Sequence, residues 1–191
     1  MAGIQKEKID LFFQKMAEKC PAVIGTIYVT GGAALILYDI PRMTDDIDFE
    51  IPEGLSEEKI MAVSRELGIP VQFGTDIERW GMTALVGYRE QAKPYKSFGK
   101  LTVKIVDPLN LIAPKLSRFL DRDIEDVNVL IKNFKISRHQ LLEHLKQVYD
   151  RSSASIEKGL FRNQVAQFLK DYQQELWSRQ EPLPPWLTVL R

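Results

Sequence analysis

At 191 residues, 45% hydrophobic and 27% charged, the chain has the apolar material for a packed core and the length of one ordinary domain, or of a compact core with a helical extension, which excludes a largely disordered protein. Its 26 Lys or Arg balance 26 Asp or Glu, so no global field draws it to nucleic acid or to an anionic membrane, and recognition falls to local patches. Residues 132–191 carry 10 Lys or Arg against 6 Asp or Glu, which leaves 1–131 mildly acidic, a balance suited to metal binding at the front and to a polyanion at the rear.

The first residues lack the long apolar segment of a signal peptide, and no run of 18 apolar residues follows, so a cytoplasmic protein without membrane contact is the expectation. Ile9, Phe12, Phe13 and Met16 share one helical face within 4–19, and Pro21 stops that helix. Cys20, the single cysteine, excludes an internal disulfide and a multi-cysteine zinc site and reads as a helix-end or core thiol. A β-branched and aromatic run predicts a strand over 26–30, ending at Gly31-Gly32 and followed by a short buried helix over 33–38. After a loop at 39–44, acidic and apolar residues alternate over 46–51, which predicts a strand with one acidic face. Ser56 caps a helix running to about Leu67 that Gly68 closes. Short strands are expected over 71–73, 84–87 and 101–106. Beyond Pro108 the pattern is helical over 109–120, 123–133, 137–149 and 155–177. The last of these carries the stripe Ile156, Leu160, Phe161, Val165, Phe168, Leu169, Tyr172 and Leu176, a bundle core or the seam of a homodimer. Trp186 and Leu187, in the proline-rich tail, are expected to dock on the body.

Asp46 and Asp48 stand two apart on a predicted strand, so their carboxylates project from one face and repel unless a cation lies between them. Magnesium suits such a pair, because it takes hard oxygen ligands and is usually held by one or two carboxylates together with substrate phosphates. Gly31 and Gly32 open a helix 14 residues earlier. Without β-carbons they let a triphosphate approach the backbone amides. A phosphate cradle followed by a metal-binding strand is the equipment of phosphoryl or nucleotidyl transfer.

In this order and spacing the residues resemble the signature of the DNA-polymerase-β-like nucleotidyltransferase superfamily. The string GGAALILYDIPRMTDDIDFEI, with Arg42 and Thr44 ahead of Asp46, is similar to the bacterial AbiEii-like branch and its uncharacterised relatives. A second block, from Asp107 through Lys115 to Asp126, looks like the helix pair that follows the sheet in those proteins. The resemblance implies an α+β nucleotidyltransferase fold, a small mixed β-sheet flanked by helices with a C-terminal helical bundle. The core with its N-terminal helix would occupy 1–130, and a helical extension packed on it 131–191. It further implies that Asp46 and Asp48 hold Mg2+, with room for a two-metal site, and that Gly31, Gly32, Arg42, Thr44 and Lys115 bind a nucleoside triphosphate. The acceptor would be tRNA or protein, and relatives that are toxins bring an antitoxin as partner.

Active members often add a third carboxylate from a neighbouring strand. Over 101–106 none is in place: if Thr102, Lys104 and Val106 share the acidic face, Lys104 stands there, and if Leu101, Val103 and Ile105 do, no charged group does. Asp107 is the nearest substitute. A second reading follows, a nucleotide- or partner-binding domain of the same fold without turnover. Asp123 and Asp126 share a helical face and can pair with Arg122, Arg118 or Lys115. Asp45 is expected on the opposite face from Asp46, and Glu50 on the same face, farther from the glycine turn. His139 and His144 lie five apart and read as surface or capping residues. Trp80, Tyr88, Tyr95 and Phe98 interleave with Arg79, Arg89, Lys93, Lys96 and Lys100, a pattern that serves either core packing with a solvated loop or an RNA strand.

Overall fold

A computed structural model of the chain describes residues 3–80, 83–153 and 155–188. Backbone contacts gather it into two compact units, Met1–Ile77 with Tyr88–Asp107, and Glu78–Gly87 with Pro108–Arg191. The helices that sequence analysis grouped with the sheet, beyond Pro108, thus cluster with the helices that follow them.

The first unit begins with α1 (Lys6–Lys19) and continues through β1 (Gly25–Thr30), α2 (Gly31–Leu37), β2 (Ile47–Glu50), α3 (Glu57–Leu67) and β3 (Val71–Gly74). After a 3-10 turn at Ile77–Trp80, it resumes with α4 (Tyr88–Gln91), β4 (Lys93–Phe98) and β5 (Leu101–Ile105). The strands form one mixed sheet in the order β3-β2-β1-β5-β4. β1 pairs antiparallel with β2 and parallel with β5, β2 runs parallel to β3, and β4 and β5 make an antiparallel hairpin.

The two faces of this sheet differ because alternate residues of its strands differ. Ile27 and Val29, Ile47 and Phe49, Val103 and Ile105 are buried, and the helical face of α1 meets them. Phe49 lies 5.7 Å from Phe12, 5.5 Å from Phe13 and 5.7 Å from Phe73, ring centre to ring centre. The residues between them, Tyr28 and Thr30 on β1, Asp48 on β2, Thr102 and Lys104 on β5, are half-buried and make the opposite face polar.

One expected strand is absent and one unexpected strand is present. Residues 84–87 form no strand, because the backbone N–H and C=O of Val86 are both taken by the buried Asn110 amide, at 2.8 and 3.0 Å, a side chain doing what a neighbouring strand would do. The pairing partner of β5 is instead β4, whose exposed lysines hid its strand character. Elsewhere the expected elements are present within a residue or two, with Ser56 capping α3 from Lys59 N–H and Gly68 ending it.

The second unit consists of α5 (Pro108–Arg118), α6 (Asp121–Phe134), α7 (Arg138–Arg151), α8 (Ile156–Trp177) and a 3-10 turn at Pro185–Leu187. Phe161, Val165, Phe168 and Leu169 of the α8 stripe are buried, whereas Ile156 and Leu160 are exposed. The buried Arg138 pins the tail, donating to Gln173 Oε1 at 3.1 Å, Glu181 Oε2 at 2.6 Å and Pro182 O at 2.9 Å. Trp186 then packs against Tyr149 with the ring centres 5.4 Å apart and the planes tilted by 39°, and Leu187 is buried, so the tail docks as its composition suggests.

Phe49 joins α1, β2 and β3 in one aromatic cluster, so Phe49→Ala should lower unfolding free energy by about 3–5 kcal/mol in urea melts. A loss below about 1 kcal/mol would mean that the cluster does not hold β2 in place.

Candidate functional site

The site forms where β1 stops. Thr30 is the last residue of β1 and pairs with Asp48. The chain then turns through Gly31, whose φ of 64° is a left-handed conformation that glycine adopts without strain. A Cβ on Gly31 would overlap Asp48 Oδ2 and sit 3.0 Å from Asp48 Cγ, and one on Gly32 would sit 2.5 Å from Thr44 Oγ1. Both glycines are therefore required by close approach. Thr44, buried, donates from its hydroxyl to Asp46 Oδ1 at 3.0 Å. The glycine backbone thus meets Asp48 directly and Asp46 through Thr44. Five residues expected from the sequence, Gly31, Gly32, Thr44, Asp46 and Asp48, come together at the C-terminal end of the parallel pair β1 and β5, the end at which open sheets with parallel strands bind ligands. Asp46 occupies the bend just before β2, while Asp48 is within the strand.

Arg42 lies in the same loop, half-buried, with Nη1 donating to the Met43 carbonyl at 3.0 Å. Lys115 belongs to the second unit. Its side chain is 4% exposed, and its ammonium sits 2.5 Å from Asp126 Oδ2 and 3.7 Å from Asp123 Oδ1. Arg118 closes a bidentate pair with Asp123 at 3.0 and 2.6 Å. Asp123 and Asp126 accordingly cross-link α5 to α6. A buried lysine held by two carboxylates fixes the register of this helix pair.

One cross-strand row below Asp48, Glu50 and Lys104 both pair with Tyr28 and so share its face of the sheet. Glu50 is buried and fully engaged. It accepts from Ile77 N–H at 3.1 Å, from the Tyr88 hydroxyl, and from Arg89 Nε at 2.8 Å and Nη2 at 3.3 Å. The Lys104 ammonium rests 6.0 Å from the centre of the Tyr28 ring. Of the two arrangements open for β5, the register selects the one in which Thr102 and Lys104 lie on the acidic face. The alternation of 26–30 already placed Tyr28 beside Thr30 on that face, a signal that sequence analysis did not use.

Tyr88, Arg89, Tyr95, Lys96 and Phe98 of the middle segment are engaged in packing and pairing, whereas Lys93 and Lys100 are exposed. Tyr88 and Phe98 are buried, Tyr95 donates to Asp10 at 2.8 Å, and Lys96 bonds the same carboxylate at 3.0 Å. The side chains of Arg79 and Trp80 lie outside the described ones. His139 is exposed and His144 buried.

Two carboxylates with a supporting hydroxyl, facing a backbone stripped of β-carbons, suit a hard cation shared with an anionic ligand. Among the described residues, no group of three or more His, Cys, Asp or Glu is gathered to hold a metal ion by itself. Burial and then the Glu50 bond push the Tyr88 phenol up. Burial and then the Glu50 charge do the same for Tyr28, and burial followed by the Asp107 charge for Tyr38. These hydroxyls stay neutral and act as hydrogen-bond donors and packing surfaces.

A model of the protein family described as "nucleotidyltransferase of unknown function (DUF6036)" matches residues 7–176. No curated protein and no solved structure matches the chain.

Two outcomes test this geometry. Gly31→Ala adds both a left-handed backbone term of roughly 1–2 kcal/mol and a collision with Asp48. Gly54→Ala adds the backbone term alone, because nothing lies within 4 Å of its Cβ. The first should therefore destabilise clearly more than the second in parallel urea melts, and equal losses would refute the Gly31–Asp48 contact. Raised phenols also set an alkaline limit. Tyr28, Tyr38 and Tyr88 are neutral in the folded chain above the ordinary value of 10.0, whereas the unfolded chain ionises there. Their contribution to stability is complete below that value and falls as pH rises past it. Absorbance at 295 nm should show Tyr38 and Tyr88 ionising only together with unfolding.

Proposed function

The chain belongs to this family of nucleotidyltransferases, and from that premise we propose that it transfers a nucleoside monophosphate from a nucleoside triphosphate to a hydroxyl of tRNA, another RNA or a protein. The observation that carries the proposal is the contact of the Gly31-Gly32 backbone with Asp48 and, through Thr44, with Asp46. It puts the glycine turn directly against the Asp48 carboxylate, with the Thr44 hydroxyl linking it to Asp46.

In this reading Asp46 and Asp48 are the catalytic carboxylates and would hold magnesium together with the triphosphate; when bound, the cation would supply charge neutralisation at the phosphates and activation of the acceptor hydroxyl. Gly31 and Gly32 leave their amides open to the triphosphate oxygens. Thr44 fixes Asp46 by its hydrogen bond, and Arg42 extends the anionic contact from the loop. The acceptor oxygen forms a bond to the α-phosphorus, the bond from that phosphorus to the bridging oxygen breaks, pyrophosphate leaves, and the acceptor proton passes to solvent. The resemblance also assigns Lys115 to the triphosphate; its ammonium is paired with Asp126 and Asp123.

The likeness of residues 31–51 to the AbiEii-like branch supports a narrower reading, a component of a toxin–antitoxin or phage-defence system acting in the cytoplasm with an antitoxin as partner. Each of the four labelled triphosphates, incubated with magnesium, total tRNA and cell protein, should label one acceptor class. Asp48→Ala should lower that labelling by roughly a hundredfold or more, the equivalent of several kcal/mol of lost charge stabilisation. Expression of the wild type, and not of Asp48→Ala, should arrest growth. Labelling of neither class, with the chain folded, would overturn the proposal.

A further inference from the structure

Strand β5 is the strand next to β1, and its contribution to the acidic face is a cation followed by a hydrocarbon. Leu101, Val103 and Ile105 are buried in the core face. Lys104 pairs with Tyr28, whose other neighbour is Glu50, and Thr30 one row higher pairs with Asp48. The ladder continues one step past the strand, since Val106 N–H donates to Val29 O at 2.9 Å. This continuation sets Val106 opposite Thr30, in the row of Asp48. Val106 is 0% exposed. Neither Lys104 of β5 nor Val106 just past it offers a side chain that can ligate a metal: valine has no donor atom, and an ammonium offers three hydrogens and no lone pair.

Lys104 is also available. Among the described residues it makes no ion pair, although two carboxylates share its face. Glu50 is engaged by Ile77, Tyr88 and Arg89, so it does not draw the ammonium away. What holds Lys104 is the Tyr28 ring, a weak support of the kind that a phosphate oxygen displaces. Rows two residues apart are separated by about 7 Å along a strand, the scale of a triphosphate rather than of a single ligand bond.

We infer that Lys104 contacts a phosphate of the bound nucleotide in the position where a second metal ion would otherwise be carried, so that the site takes one divalent cation per nucleotide. The inference rests on the nucleotide-binding reading of Asp46 and Asp48. It makes Lys104 a substrate-contacting residue, and it makes the charge of the bound state depend on one ion and one ammonium in place of two ions. Magnesium dependence then follows a single binding step.

The test is a Mn2+ titration of the full chain with the α,β-methylene analogues of ATP, CTP, GTP and UTP in turn, counting bound ions by electron paramagnetic resonance. The wild type should bind one ion per chain with the accepted analogue and give no spin-coupled pair spectrum. Lys104→Asp should take up a second ion and show the coupled spectrum. Lys104→Met should weaken analogue binding roughly tenfold or more with the count still at one, and Lys104→Arg should restore most of it. Two ions in the wild type, or analogue affinity unchanged in Lys104→Met, would overturn the inference and leave the nucleotide-binding reading standing. A folded wild type that takes neither analogue nor ion would bring down both.

Discussion

Everything at the site depends on how closely the Gly31 backbone approaches Asp48. The strand pairing that sets Thr30 beside Asp48 leaves no room for a side chain on the next residue, and the left-handed turn at Gly31 is what swings the chain into α2 instead of through the carboxylate. A single missing carbon therefore does two jobs, turning the chain and opening the backbone to whatever Asp48 holds. Gly32 repeats the arrangement against Thr44, and Thr44 passes it to Asp46 by a hydrogen bond.

That approach needs a rigid strand under it, and the aromatic cluster supplies one. Phe49 points to the side opposite Asp48 and is enclosed by Phe12, Phe13 and Phe73. β2 is four residues long and would hold its register poorly by backbone pairing alone, because a one-residue slip would exchange its two faces. Burial of Phe49 makes such a slip prohibitive. Glu50 adds a polar lock on the other face, fixing the end of β2 to Ile77, Tyr88 and Arg89. Its role is positional, because its hydrogen bonds commit this second acid of β2 to Ile77, Tyr88 and Arg89.

Charge is distributed between the units in different ways. In the second unit Lys115, Arg118, Asp123 and Asp126 neutralise one another across α5 and α6, which turns charged residues into a structural seam. In the first unit Asp48 and Lys104 lie on one polar face of the sheet, beside the Gly31-Gly32 turn. The family to which the chain belongs is one of nucleotidyltransferases.

The sequence by itself determined most of the elements and the glycine turn ahead of its two aspartates. Apolar spacing marks α1 and the helices beyond Pro108, a β-branched and aromatic run marks β1, and alternation marks β2. The pairing of Gly31-Gly32 with Asp46 and Asp48 is legible because both motifs are local, each needing only a few consecutive residues. Tertiary structure alone decided which face of β5 meets the acids, that Glu50 is tied down by Ile77, Tyr88 and Arg89, that Lys115 is buried against Asp126, and that Asn110 replaces a strand at Val86. Each of these depends on a partner from 11 to 39 residues away in sequence or on cross-strand register. Periodicity gives the spacing of side chains along one element, and it carries no information about which element lies beside it.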